Sequence, residues 1–178
     1  MMNLRQRLSQ RISMLDIQEL HVQTKKCSTL RTALYELLFD SNNRISSQAA
    51  WIFTHYSTNE LQILAHKRSS LIELAIRHPH PSTQRLVLSL ILRLAASDLP
   101  DINFINFCML HITAAHKPSG IRCLCMKLAY QQCYQIPELM QELKLILELL
   151  DTEPLTPAIK VTRKNILYAI AKNKPITQ

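Results

Sequence analysis

The chain has 178 residues, 47% of them hydrophobic, and its 21 Lys and Arg against 13 Asp and Glu give a formal net charge of +8. This length predicts one domain with a substantial core. The single glycine, Gly120, excludes the phosphate loops of nucleotide-binding folds and most tight β-hairpins, because both depend on glycine's access to positive φ. We therefore expect an all-α protein.

An N-terminal helix is predicted over about residues 1–22, since Leu4, Leu8, Ile12 and Leu15 recur at helical spacing. This start has no continuous apolar run of signal-peptide length, and no later stretch is long and apolar enough to span a membrane. We expect a cytoplasmic protein without a membrane partner. The five cysteines are expected to be free, buried core residues of a reducing compartment.

Four helical hairpins are predicted after this helix, because four segments have similar beginnings. They are ISSQAAWIF from Ile45, TQRLVLSLI from Thr83, IRCLCMKLA from Ile121 and TRKNILYAI from Thr162, at spacings of 38, 38 and 41 residues. Another helical stretch precedes each segment, and turn sequences such as DSNN, PHPS and KPSG separate the helices. We expect a single helical-repeat domain over 1–178, with repeats at about 28–58, 59–98, 100–134 and 136–174.

The beginnings of these segments resemble the second helix of HEAT-like repeats, which opens with valine and arginine before an alanine-rich apolar pattern. Arg122 and Arg163 stand at the arginine of that opening, whereas Ser46 and Gln84 replace it. The resemblance covers about residues 28–174. It implies an all-α fold, a short right-handed α-solenoid of about four HEAT-like helical hairpins plus an N-terminal helix, with a concave surface that serves binding.

Helical phase divides the second helices into a buried stripe and a binding row. In the first repeat, Ile45, Ala49, Ile52 and Tyr56 fall within about 60° of one another and form the predicted buried stripe. Arg44, Gln48, Trp51 and His55 are expected together on one side of it, and these offsets carry into the other repeats. The concave binding row is predicted to contain Trp51, His55, Arg93, Lys127, Gln131, Tyr168 and Lys172.

Trp51, the only tryptophan in the chain, has two interpretations. It is either partly buried with a structural role or a contact for a partner at the edge of the groove. The two roles are compatible, because a half-buried indole at a groove edge serves both.

Charge is unevenly distributed along the sequence. Residues 62–97 are basic, with Lys67, Arg68, Arg77, Arg85 and Arg93 against Glu73, and residues 154–178 have no acid at all. Residues 135–153 are acidic, with Glu138, Glu142, Glu148, Asp151 and Glu153 against Lys144. A basic surface flanked by an acidic helix would orient an anionic partner. The alternative is that the net charge only keeps the protein dissolved.

Three pairs of residues are candidates for chemistry. His78 and His80 share a proline-fixed loop but have no third ligand at a recognisable spacing. Cys123 and Cys125 point about 200° apart on a helix and cannot share a metal ion. Cys108 and His111 lie three residues apart, a spacing that is common by chance in helices. We therefore expect no metal, no cofactor and no catalytic residue, and a noncatalytic protein is favoured.

Two functions remain open. The first is a noncatalytic interaction module that binds an anionic or partly apolar partner, a protein segment, on its concave face. The alternative is nucleic-acid binding, because the basic charge and repeat type resemble the helical-repeat glycosylases of alkylated DNA. That family places an aspartate and several tryptophans along its basic face, and no carboxylate occupies the predicted row here. The oligomeric state, the identity of the partner and the pathway are left open.

Overall fold

A computed structural model describes residues 3–95, 99–150 and 154–174. The chain divides into two compact units, Met1–Leu94 and Ala95–Gln178. In the described ranges every regular element is a helix and none is a strand, which confirms the all-α fold class. None of these helices is long and apolar enough to cross a membrane. The single domain over 1–178, with the repeat boundaries given above, stays a prediction.

The first unit contains seven α-helices within the described residues, and two 3₁₀ segments extend or precede them. They are α1 Leu4–Ser9, α2 Met14–Lys26, α3 Ser28–Glu36, α4 Asn43–Thr54, α5 Thr58–Leu61, α6 Arg68–Arg77 and α7 Pro81–Arg93, with 3₁₀ segments at Leu37–Phe39 and Gln62–Lys67. α4 packs against the 3₁₀ segment that continues α3, and α7 packs against α6. α4 and α7, the second helices of these two hairpins, also pack against each other.

The second unit repeats this arrangement. Its helices are α8 Ile102–Thr113, α9 Ser119–Cys133, α10 Pro137–Leu149 and α11 Pro157–Lys172. α8 packs on α9, α10 packs on α11, and α9 contacts both helices of the second hairpin. Pro137 and Pro157 occupy the first helical position, where a missing N–H costs nothing.

The N-terminal segment differs from the expectation of one helix, because α1 and α2 are separate. The side chain of Ser13 accepts a hydrogen bond from the Asp16 N–H, and the Asp16 carboxylate accepts one from the Ser13 N–H. The hydrogen bonds from Ser13 lower the pKa of Asp16 to about 2. This capping box starts a new helix with a new phase. Leu15, predicted to share a stripe with Leu8, is therefore 76% exposed while Leu8 is buried.

The buried stripe predicted on α4 is confirmed. Ile45, Ala49, Ile52 and Tyr56 are each at most 1% exposed. The Tyr56 hydroxyl donates a hydrogen bond of 2.9 Å to Thr24 Oγ1 on α2, so the end of this stripe also ties α4 to the N-terminal helices. Apolar spacing on one helix therefore located the core of the first unit.

In three of the hairpins, the side chain at the arginine position of the repeat opening fastens the second helix to the end of the helix before it. The last carbonyls of a helix have no partner within it, and these side chains supply one. The bonds run from Gln84 to the Ala75 carbonyl, from Arg122 to that of Ile112 and from Arg163 to that of Leu147. In the first hairpin the short Ser46 side chain bonds instead to Asn43 and Thr83. The position is thus structural in each hairpin.

The cysteines are free, but not all of them are buried. Cys108, Cys125 and Cys133 lie in the core of the second unit, where burial raises the pKa of Cys133 to about 12. Cys27 and Cys123 are only half-buried, contrary to expectation. Cys27 is the N-cap of α3, a position outside the apolar periodicity that governs burial.

Candidate functional site

Trp51 and His55 lie together at the end of α4 in the first unit. Both are half-buried, and their ring centroids are 6.1 Å apart. His55 Nδ1 is 3.0 Å from the Trp51 carbonyl oxygen, which can only accept, so the Nδ1 proton is donated to it. Trp51 is therefore partly accessible to solvent and partly covered by the protein.

Arg93, predicted in the same row, is bound to the protein itself. Its guanidinium donates a hydrogen bond of 2.9 Å to the Thr54 carbonyl and a second one to the Tyr56 carbonyl. Both carbonyls belong to the C-terminal end of α4, where positive charge is favourable. Arg93 is thus half-buried, and part of its donor capacity is used at the end of α4. Its role in binding a partner stays a prediction.

Gln48, expected beside Trp51 to one side of the buried stripe, is itself buried. It is 8% exposed, and its Nε2 donates to the carbonyls of Leu8 at 2.6 Å and Gln10 at 2.8 Å. Its Oε1 accepts from the Ile12 N–H at 3.0 Å. The Gln48 side-chain amide thus pairs backbone groups at the C-terminal end of α1 and in the segment that follows it. Helical phase gives no sign of this role, since it depends on where α1 packs.

The other four predicted residues belong to the second unit, on the packed helices α9 and α11. Lys127 on α9 is exposed, and Tyr168 and Lys172 on α11 are exposed, Tyr168 to 61%. Gln131 is half-buried, and its Oε1 is buried without a hydrogen-bond partner among the described residues. Three of the four thus face solvent as predicted. A continuous row through both units stays a prediction.

α11 carries a longer basic stripe than the predicted row. Lys160 and Lys164 are exposed and precede Tyr168 and Lys172 at intervals of four residues. Residues three or four apart share a helix face, so these four side chains form one stripe. α11 contains no Asp or Glu. The predicted row omitted Lys160 and Lys164, although their spacing was readable in the sequence. We call these four residues the basic stripe.

Several arginines counted as surface charge are internal. Arg68 is 6% exposed, and its Nη1 donates to the Ile91 carbonyl at 2.9 Å. Burial lowers the pKa of Arg68. Arg163 is half-buried and donates to the Leu147 carbonyl. The exposed basic surface is therefore smaller than the sequence implies. Two acids of the predicted acidic segment, Asp151 and Glu153, lie outside the described residues.

The His78 loop places an imidazole near a hydroxyl. His78 Nε2 is 3.4 Å from Ser46 Oγ, and the His80 N–H donates to His78 Nδ1 at 3.1 Å. Because Nδ1 accepts, the proton of a neutral His78 is on Nε2, facing Ser46. This tautomer cannot accept a proton from the Ser46 hydroxyl, so the pair lacks the arrangement of a nucleophile and its base.

Cys108 and His111 also lack the arrangement of a nucleophile and its base. His111 Nδ1 donates to the Phe107 carbonyl at 2.8 Å, and burial raises the pKa of Cys108 well above its usual range. A buried thiol with a raised pKa is a poor nucleophile. Throughout the described parts of the chain, no three His, Cys, Asp or Glu side chains are grouped to hold a metal ion.

Comparison with known proteins gives one finding about the family. Residues 4–170 match the family described as a HEAT repeat domain. No curated protein and no solved structure matches the chain significantly. The match covers both units and includes the N-terminal helices as well as the four hairpins.

Proposed function

The chain belongs to the HEAT repeat family, whose members generally mediate protein interactions, and we propose that it is a noncatalytic module that binds an acidic, partly apolar protein segment. The observation that carries this proposal is the basic stripe of α11. It combines three exposed lysines with an exposed tyrosine on a helix without acids. A cytoplasmic location belongs to the same proposal.

The chemistry of the basic stripe suits a carboxylate-rich segment. Exposed Lys160, Lys164 and Lys172 offer ammonium groups, while the Tyr168 ring and the lysine stems offer apolar contact. Lys127 and Gln131, on the packed helix α9, extend this surface in the proposal. Trp51, His55 and Arg93 are the contacts that we propose in the first unit.

Nucleic acid is the second candidate, because a lysine stripe also attracts phosphates. The neighbouring helix α10 argues against it. α10 packs beside α11 and exposes Glu138, Glu142 and Glu148. A phosphate backbone running past α11 would meet these carboxylates, whereas a short protein segment can follow one helix.

Binding of a labelled helical peptide made of Glu and Leu, measured by fluorescence anisotropy, tests the proposal. The double variant Lys164→Glu and Lys172→Glu should weaken binding at least about tenfold, because like charges then face each other. Arg77→Glu with Arg85→Glu is the matched control, since both residues are exposed in the first unit and the net charge changes equally. Equal loss in both variants would mean that binding follows net charge alone, and the proposal would fail.

Two further measurements test whether the partner is a protein segment or nucleic acid, and whether the first unit takes part in binding. A short duplex DNA should bind more weakly than the peptide, and with a steeper dependence on salt if phosphate contacts dominate. Tighter binding to DNA would favour the second candidate. The emission of Trp51 should shift on peptide binding only if the first unit contributes the predicted contacts.

A further inference from the structure

The exposed face of α10 has the opposite charge to the basic stripe of α11. Glu138, Glu142, Leu145 and Leu149 are all exposed and follow one another at three or four residues, within about 60° of helix surface. Leu145 is 52% exposed and Leu149 is 69% exposed. We call these four residues the acidic stripe. Two exposed leucines in line with two carboxylates are what a helical docking face contains.

α10 and α11 form an antiparallel hairpin, which fixes where each residue of the two stripes lies along the hairpin axis. We call this position the height of the residue. Arg163, near the start of α11, donates to the carbonyl of Leu147, near the end of α10. Counting from the connection, Leu145 lies four residues before the end of α10, and Val161 lies four residues after the start of α11. Glu142 and Lys164 are each seven residues away. At about 1.5 Å per residue, both members of each pair lie at similar heights.

A third pair completes the match. Glu138 and Tyr168 are each eleven residues from the ends that face the connection. Val161 is 59% exposed, so each height has an exposed residue on both helices. The first height has an apolar residue on both helices, and the second has an acid on α10 and a base on α11. The third has a carboxylate on α10 and a hydroxyl on α11, with Lys172 one turn beyond. The two stripes of one hairpin are complementary, but adjacent helices cannot cover each other's outer faces.

We propose that a second copy of this chain covers them, as a two-fold symmetric dimer in which α10 of each copy lies along α11 of the other. This inference rests on the proposed function and names the acidic segment that the basic stripe binds. A two-fold axis parallel to the helices preserves height and pairs α10 antiparallel with α11 of the partner. The contacts between Leu145 and Val161, Glu142 and Lys164, and Glu138 and Tyr168 then each occur twice, as an isologous interface requires.

A charge-swap experiment tests the dimer directly. Sedimentation of the wild-type chain over a range of concentrations should show a reversible dimer. Glu142→Lys alone, or Lys164→Glu alone, places like charges opposite each other twice and should raise the dimer dissociation constant at least about tenfold. An equal mixture of the two variants should restore the dimer, because each reversed residue then faces an opposite charge. The double variant Glu142→Lys with Lys164→Glu should form a homodimer for the same reason.

Controls separate this inference from the proposed function. Arg85→Glu, an exposed charge reversal in the first unit, should leave the dimer intact, and circular dichroism should show that every variant is folded. A dimer that ignores both single reversals, or a mixture that stays monomeric, would overturn the inference. A wild-type monomer that binds the Glu and Leu peptide would overturn the dimer and leave the proposed function standing. A monomer that does not bind it would overturn both.

Discussion

The fastening of α4 by Arg93 makes a quantitative prediction about stability. Replacing Arg93 with Ala removes two hydrogen bonds from a charged donor to the carbonyls of Thr54 and Tyr56. Such bonds contribute about 1.5–3 kcal/mol each when well shielded. Arg93 is half-buried, so water replaces part of that contribution, and the expected loss in free energy of unfolding is about 2 kcal/mol in total. This is roughly a thirtyfold change in the folding equilibrium.

The only tryptophan makes the assay specific to the first unit. Trp51 lies on α4, the helix that Arg93 fastens, so its fluorescence during urea unfolding reports the affected unit. Circular dichroism reports helices from both units, and a difference between the two transitions would show that the units unfold separately. The variant should shift the fluorescence transition to lower urea with an unchanged slope.

Two further substitutions sharpen the interpretation. Arg93→Lys keeps the charge near the end of α4 but loses the forked pair of donors, and should be intermediate. Lys127→Ala removes an exposed charge in the second unit and should change the free energy by less than about 0.5 kcal/mol. If Arg93→Ala and Lys127→Ala cost the same, Arg93 does not fasten α4, and the reasoning that its donors are occupied is refuted.

Three more predictions concern buried polar groups and the half-buried thiol of Cys27. Gln48→Ala, which strands the backbone groups at the end of α1, should cost about 2 kcal/mol or more in the free energy of unfolding, and a loss below about 0.5 kcal/mol in urea titrations would contradict its three hydrogen bonds. Burial lowers the pKa of His21, His78 and His111 from the ordinary 6.5, so the unfolded chain binds more protons below that pH. The contribution of these histidines to the free energy of unfolding is present above pH 6.5 and is lost as the pH falls through their folded pKa values. The urea midpoint should therefore decrease on mild acidification. An unchanged midpoint would contradict this prediction. A backbone hydrogen bond from Leu30 lowers the pKa of Cys27, so a disulfide reagent should label it faster than the buried thiols, and Cys27→Ser should abolish the fast phase if this assignment is right.

Periodicity determined the part of the fold that depends on residues near one another in the chain. The stripe Ile45, Ala49, Ile52 and Tyr56 was predicted and is buried, because apolar residues at helical spacing can only be covered on one side. The four similar segments located the second helices of all four hairpins. The capping box at Ser13 was equally local and readable, and overlooking it led to the prediction of one N-terminal helix where there are two.

Only the tertiary structure decided which polar residues face solvent and which bond to the protein itself. Gln48 and Arg93 occupy flanking positions on their helices, as Lys127 does, yet the first two bond to the ends of α1 and α4 while Lys127 is exposed. Helical phase gives the direction of a side chain around its own helix. Whether that direction meets water or the unpaired carbonyls of another helix end depends on where the neighbouring helix packs, which is a contact between residues about 40 positions apart.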